Sequence, residues 1–538
     1  MTMKLVDYLS VGSEFSEKGY ELPKYNRNEI KEKTKKEPTW VHFGAGNIFR
    51  AFTAERLQRL LDSKEYDRGV IVAESFDTEI IEKAYKPYDG ISLSVVLKAN
   101  GTIDKIVVGS IVESLVADPS NKDFDRLVEI FENPSLQMAS FTITEKGYSI
   151  VDGKGEIFPF VKEGFKKGPE NQSHLMGRIA ALCYKRFKKN AAPLALVSMD
   201  NCSHNGDKLK AGIMAFVEAW EKEGLVEEEF VLYMKDEDKV SFPWSMIDKI
   251  TPRPDANVVR MLEEDDFEDT DLIITDKNTY TAPFVNSEET GYLVIEDTFP
   301  NGRPPLDKAG ILFTDRETVD KVEKMKVCTC LNPLHTALAI YGCLLGYETI
   351  HDEMNDKELS GLIKTMCYKE AMPVVVNPGV IDPMEFADAV LNLRLPNPFM
   401  PDTPQRIATD TSQKLPIRFG ETIKAYMASD KLNVEDLTLI PLVLAGWCRY
   451  LLGVDDEGNA FEQSSDPRLD SVKSFVADVK LGEPFDAHEV LKDILSDETI
   501  FAVDLYKAGL GNKVEELFTE LTAGTGAIRA TLKKYVRA

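Results

Sequence analysis

The sequence predicts an α/β N-terminal domain with a mostly parallel sheet and a largely α-helical C-terminal domain, and three observations carry that prediction. From Thr39 onward short apolar strands alternate with helix-spaced segments, the pattern of a parallel sheet covered on both faces. After about residue 316 the apolar periodicity becomes mainly helical, as in LHTALAIYGCLLGY and LTLIPLVLAGWCRYLLG. A chain of 538 residues is too long for one ordinary core and long enough for two or three domains.

The elements follow in order. Residues 1–38 end in the charged, proline-containing stretch KYNRNEIKEKTKKEP, which reads as an N-terminal arm or surface helix. TWVHF then reads as a strand, GAGN as a turn, and IFRAFTAERLQRLLD as a helix with Ile48, Phe49, Phe52, Leu57, Leu60 and Leu61 at helical spacing. GVIVAESF at 69–76 is the second strand, and further strands are expected at IVVGSIV, MASFTIT, LALVSMD and DLIITD. The expected division is 39–315 for the α/β domain and 316–538 for the helical one, with the chain nearing the boundary in GYLVIEDTFPNGRPPLDKAG.

Composition narrows the function classes. With 64 Lys plus Arg against 90 Asp plus Glu, the formal charge of -26 disfavours nucleic acid and anionic membranes as partners. An anionic substrate would need a local cationic cluster working against that average field. The seven cysteines, Cys183, Cys202, Cys328, Cys330, Cys343, Cys367 and Cys448, are an odd and scattered set, which fits reduced thiols in a reducing compartment. The start of the chain carries Asp7 and Glu14 and no signal-like apolar run, and no segment reads as about 18 uncharged apolar residues, so a cytoplasmic protein is expected.

The first strand-turn-helix has the form of a dinucleotide site. Gly44 and Gly46 would let the turn approach a pyrophosphate, and the following helix N-terminus would stabilise its charge. Phe49 stands at the third glycine position of the usual pattern, so an ordinary tight turn remains open on these residues alone. Glu74, at the end of the second strand, can accept hydrogen bonds from ribose hydroxyls and repel a 2′-phosphate, which favours NAD over NADP; Asp77 is the alternative acid.

At HFGAGNIFRA the sequence begins to resemble the polyol-specific long-chain dehydrogenases, the family of mannitol dehydrogenases and of fructuronate (mannonate) and tagaturonate (altronate) oxidoreductases. The resemblance continues through TITEKGY, SMDNCSHNG, FPWSMIDKITP, VIEDTFPNGRP, EKMKVCTCLNPLH and RIATDTSQKLP, covering most of the chain from Thr39 to about Gly420. It implies a Rossmann-type NAD-binding domain, a helical substrate and catalytic domain, no catalytic metal, an interdomain cleft for cofactor and sugar, and, since the family often works as monomers, no obligatory oligomer. It also extends the cofactor contacts to Asn47 and Ile48 in the first block and to Glu145 in TITEKGY.

Oxidising a secondary alcohol requires a base for the hydroxyl proton and donors for developing alkoxide charge. The resemblance makes Lys326 the base, Asn332 and Asn201 the amide donors, His335 a group that orients substrate or base, and Glu323 a proton carrier between the lysine and solvent. A lysine in that role must be desolvated or set near positive charge. Arg406 and Lys414, eight residues apart, match positions near the far end of an open-chain substrate and supply the expected cationic cluster; Asp248 would accept substrate hydroxyls, although Lys249 follows it where the family commonly has Arg. The family usually places four residues between its lysine and asparagine, whereas Val327, Cys328, Thr329, Cys330 and Leu331 make five here. A bulge between the strand-like segment bearing Lys326 and the helix start could absorb the extra one, or Lys326 is displaced.

Two other readings are weaker. Cys328, Cys330, His335 and Cys343 as a zinc site lack a second paired half, and a sensor that has lost chemistry would not keep the base and its donors. Among substrates, the N-terminal arm and the CLNPLH wording resemble mannonate oxidoreductase relatives, so reduction of fructuronate to mannonate is expected, with tagaturonate and fructose as alternatives.

Overall fold

Six strands form the main sheet of the first unit in the computed structural model, which describes residues 3–536. They are β1 (Trp40–Phe43), β2 (Val70–Glu74), β3 (Ile111–Val116), β4 (Met138–Phe141), β5 (Leu194–Ser198) and β6 (Val240–Ser241). Their spatial order is β3-β2-β1-β4-β5-β6, with every neighbouring pair parallel. This is the doubly wound order of dinucleotide-binding folds, and it reverses between β1 and β4. The period of two along each strand divides its side chains between two cores. Val41, Phe43, Ile71 and Ala73 join one cluster, while Trp40, Val70 and Val72 join the other, so both faces are covered and the strands read as continuous apolar runs.

Two expected strands turn out differently. IVVGSIV is split at Gly109–Ser110: Ile103–Val108 ends before it and pairs in a separate four-stranded sheet, and only the segment after it enters the main sheet as β3. DLIITD yields only Ile273–Ile274, paired with Tyr280–Thr281 in a two-stranded ribbon. In both cases apolar, β-branched residues mark extended backbone without specifying which sheet receives it.

The N-terminal stretch is built into the first unit. Tyr20–Glu21 forms an edge strand beside Ile103–Val108. Asn26 caps the helix Arg27–Lys36 through the Glu29 amide, and buried Arg27 donates to the carbonyls of Gly109 and Ile111.

Residues 3–98 and 102–320 form the first unit, and residues 99–101 and 321–536 form a second. The second is helical, as expected. Its central pair, Asn332–Leu345 and Leu439–Tyr450, is held by the Tyr341 hydroxyl donating to Leu442 O at 2.7 Å. Residues 316–345 are long and apolar enough to cross a bilayer by length and composition, yet most of them are buried inside the protein, as in a core helix.

Candidate active site

The cofactor turn leaves β1 at Gly44, whose φ of +113° lies in the region that favours glycine. A Cβ there would stand 2.1 Å from Thr142 O, so a side chain is excluded by the chain leaving β4. At Gly46, by contrast, a Cβ would meet nothing within 4 Å. The two glycines do different work: the first permits the turn, and the second leaves space beside it. Glu74 ties the turn to β2. Its carboxylate accepts from the amides of Ala45 (2.8 Å), Ser75 (2.9 Å), Phe76 (2.7 Å) and Asp77 (3.2 Å). The expected ribose acceptor is thus also the brace of its own loop.

Gly44, Gly46, Glu74, Asp77, Thr142 and His174 are among the residues lining a cleft of about 660 Å³ within this unit, at the C-terminal ends of β1, β2 and β4. Asn47 begins the helix that follows, and its Oδ1 accepts from buried Arg50, which also donates to Thr281 Oγ1 and Ala282 O. Ile48 is half-buried against the core. Asp77 is buried and accepts from the Thr275 hydroxyl at 2.6 Å. Glu145 lies outside this cleft, exposed and ion-paired to Lys208 at 2.5 Å.

Beneath the turn, burial pushes the His42 imidazole down to about 3, so it is neutral. Trp40 Nε1 donates to Ser140 Oγ, and His42 is hydrogen-bonded through Nδ1 to the same hydroxyl and through Nε2 to Thr142 Oγ1.

Asp200 and Asn205 shape the loop after β5. Asp200 accepts from the amides of Ile143 and Thr144 and from the Tyr148 hydroxyl, and Asn205 clasps Ser245 through both backbone and side chain. Asn201 is left exposed on that loop. Asp248 ends the strand Ser245–Asp248 and is buried, while Lys249 turns its ammonium to the carbonyls of Glu288 and Thr290.

In the second unit, Lys326 is 4% exposed, so the desolvation expected of a base is present. Glu323 sits one turn earlier on the helix Arg316–Met325, at the spacing that places both on one face. Asn332 opens the helix Asn332–Leu345, with Pro333 in its first turn. His335, on the same turn, has its Nε2 3.5 Å from Asp402 Oδ2. Burial, reinforced by Arg418, Arg406 and Arg394 against the opposing pull of Asp402, holds the imidazole down at about 4. His335 is therefore neutral at physiological pH, and this contact is not an ion pair there.

The expected cationic cluster is present and larger than the sequence suggested. Arg406 is ion-paired with Asp402. Lys414 donates to the carbonyls of Ile407 (3.1 Å) and Thr409, and burial together with the nearby Arg418 lowers it to about 8. Arg418 donates to Thr336 Oγ1, on the residue after His335.

Comparison with known proteins places this geometry. The family profile for the mannitol dehydrogenase Rossmann domain matches residues 38–308, and that for the mannitol dehydrogenase C-terminal domain matches residues 318–522. The chain belongs to the mannitol dehydrogenase family. It is 52% identical over 520 residues, 96% of each chain, to the D-mannonate oxidoreductase of Thermotoga maritima. Among solved structures it is similar to a D-sorbitol dehydrogenase in substrate-free form, with TM-score 0.78, 26% identity, and 96% of this chain and 97% of that one covered. It is also similar to the Pseudomonas fluorescens mannitol 2-dehydrogenase ternary complex with NAD and D-mannitol, with TM-score 0.67, 25% identity, and 99% of each chain covered.

Within this mannitol dehydrogenase fold the extra residue after Lys326 meets a specific backbone feature. The expectation of a strand-like segment there is corrected: residues 326–330 form a π-helical turn that continues the helix Arg316–Met325. The Leu331 amide bonds to Lys326 O at 3.1 Å, an i→i+5 link holding one residue more than an α-turn. The run VCTC resembles a strand by propensity, but a preceding helix that runs directly into it overrides that preference. Neither Cys328 nor Cys330 on this turn is in a disulfide, and among the described residues no group of three or more His, Cys, Asp or Glu is arranged to hold a metal ion. Asp402, Arg394 and Arg418 were missed. The only sequence signal for Arg418 was its position four residues after Lys414, one helical turn along the same face.

Proposed function

We propose that the protein is an NAD(H)-dependent oxidoreductase that interconverts D-fructuronate and D-mannonate. The observation that carries this reading is the 52% identity, along 96% of the chain, with a protein named D-mannonate oxidoreductase. The geometry supports it in two places. The Gly44 turn and the open space at Gly46 fit a dinucleotide, which supplies hydride to the keto carbon when bound as NADH. The Arg406, Lys414 and Arg418 cluster gives an acidic protein the local positive charge that a sugar acid needs.

The division of labour is part of the proposal, with NAD on residues 39–315 and substrate and catalytic groups mainly on 316–538. Lys326 gives the proton to the carbonyl oxygen in reduction and takes it back in oxidation, and Glu323 passes it to solvent. Asn332 and Asn201 donate to that oxygen as it gains charge. His335, being neutral, orients rather than titrates. Arg406, Lys414 and Asp248 hold the remainder of the open chain. The seven cysteines, none of them in a disulfide, support a reducing, cytoplasmic setting, and no obligatory oligomer is needed.

The test is a side-by-side measurement of fructuronate, tagaturonate and fructose with NADH and NADPH. Fructuronate with NADH is expected to give the highest kcat/KM. Exclusive use of fructose, or NADPH efficiency equal to that of NADH, overturns the substrate or the cofactor assignment respectively.

A further inference from the structure

The three cations on residues 406–418 are not equivalent. Arg406 is committed to Asp402 through an ion pair. Lys414 directs its ammonium to two backbone carbonyls, Ile407 O and Thr409 O. Arg418 is half-buried, and its guanidinium makes one hydrogen bond, from Nη1 to Thr336 Oγ1 at 2.5 Å. Among the described residues no carboxylate lies within ion-pair distance of it. Burial alone lowers it, to about 10, so it still carries its charge at neutral pH.

A desolvated cation with too few partners is a cost to the folded state, and elsewhere in this protein buried arginines have either an anion or several neutral acceptors, three at Arg50 and five at Arg186. Buried Arg27 has Asp89, and Arg178 has Asp118. A guanidinium offers five N–H groups in a planar fork that matches a carboxylate. One is in use at Arg418, and the rest lack a protein anion. Its position fits a substrate end: Thr336 follows His335 on the helix that begins at Asn332, and the charge of Arg418 is felt at both His335 and Lys414.

We propose that Arg418 receives the carboxylate of the open-chain sugar acid and thereby selects sugar acids over neutral keto-sugars. This rests on the sugar-acid reading above. In fructuronate the carboxylate and the reacting ketone are near opposite ends of the molecule, so the carboxylate is unchanged by hydride transfer. Its contact therefore acts equally on ground and transition states and appears in KM rather than kcat.

The experiment compares wild type, Arg418→Gln and Arg418→Lys as full-length enzymes whose melting temperatures are checked first. KM and kcat are measured for fructuronate and fructose with NADH, and dissociation constants by calorimetry for D-mannonate and D-mannitol. Arg418→Gln is expected to raise KM for fructuronate and Kd for mannonate on the order of 100-fold. The values for fructose and mannitol should stay within about threefold, because they bring no charge to be paired. Arg418→Lys should recover part of the loss and serves as the readout if the glutamine variant does not fold. Equal losses with acid and neutral ligands, or no loss with the acids, overturn the proposal and leave Arg418 as a brace for Thr336. Wild type that binds mannonate but does not turn over fructuronate overturns the proposed reaction and not the role of Arg418. Wild type that binds no aldonate overturns both.

Discussion

Glu74 in the first unit and Glu353 in the second, both buried, are held in opposite ways. In the first unit Glu74 accepts four main-chain amides, and Asp200 accepts two together with the Tyr148 hydroxyl. In the second, Glu353 is fully buried with no hydrogen-bond partner for either carboxyl oxygen, and Arg418 has a single neutral one. Carboxylates met by several amides hold a loop in one shape. Groups without such partners are driven toward neutrality or held ready for a ligand. Glu74 thus braces the turn after β1, whereas Glu353 and Arg418 keep hydrogen-bonding capacity in reserve.

The largest expected effect tests whether that reserve includes the base. Lys326→Ala should lower kcat by about 10³-fold or more, since it removes the proposed general acid-base group. NADH binding, followed by fluorescence titration, should remain within about threefold of wild type. Near-normal turnover would move the base elsewhere and would mean that the π-turn had displaced Lys326.

The same substitution at the two glutamates sharpens the comparison, because it should have opposite signs. Glu74→Gln places an amide N–H where backbone amides now find an acceptor, which costs roughly 1–3 kcal/mol. A lower melting temperature and about tenfold weaker NADH binding are expected, with less discrimination against NADPH. Unchanged stability would show that the four amide contacts do not brace the turn.

How much of this was legible in the sequence follows the same division. TWVHF, GAGN and GVIVAESF located β1, the turn and β2 because apolar runs and glycines act locally. Glu74 was recognisable from its place at the strand end, but its four amide partners were not, since they exist only once the loop closes. The π-turn after Lys326 was hidden for a different reason. An i→i+5 link has no compositional signature, and VCTC looks extended until the helix before it is seen to continue. Arg406 and Lys414 were found by resemblance, whereas Arg418 stands out only when its missing counter-ion is visible.

Glu353 carries the smallest expected effect and the clearest sign. Burial, followed by the charges of Asp356 and Asp352, holds its carboxyl well above the usual carboxylate range, and Oε1 faces Gly342 so closely that a Cβ on that glycine would lie 1.9 Å away. The folded state therefore keeps the proton to a higher pH than the unfolded chain does. Stability from this group is fully present below about 4.5, near the unfolded value, and is lost as pH rises through the folded value. Glu353→Gln keeps the shape of the protonated acid and removes the titration. Its melting temperature should match wild type near pH 4 and exceed it by about 3 °C at pH 8. A difference that is constant with pH, or a destabilised variant at pH 8, would mean that the carboxylate is paired after all and that Glu353 is held no differently from Glu74.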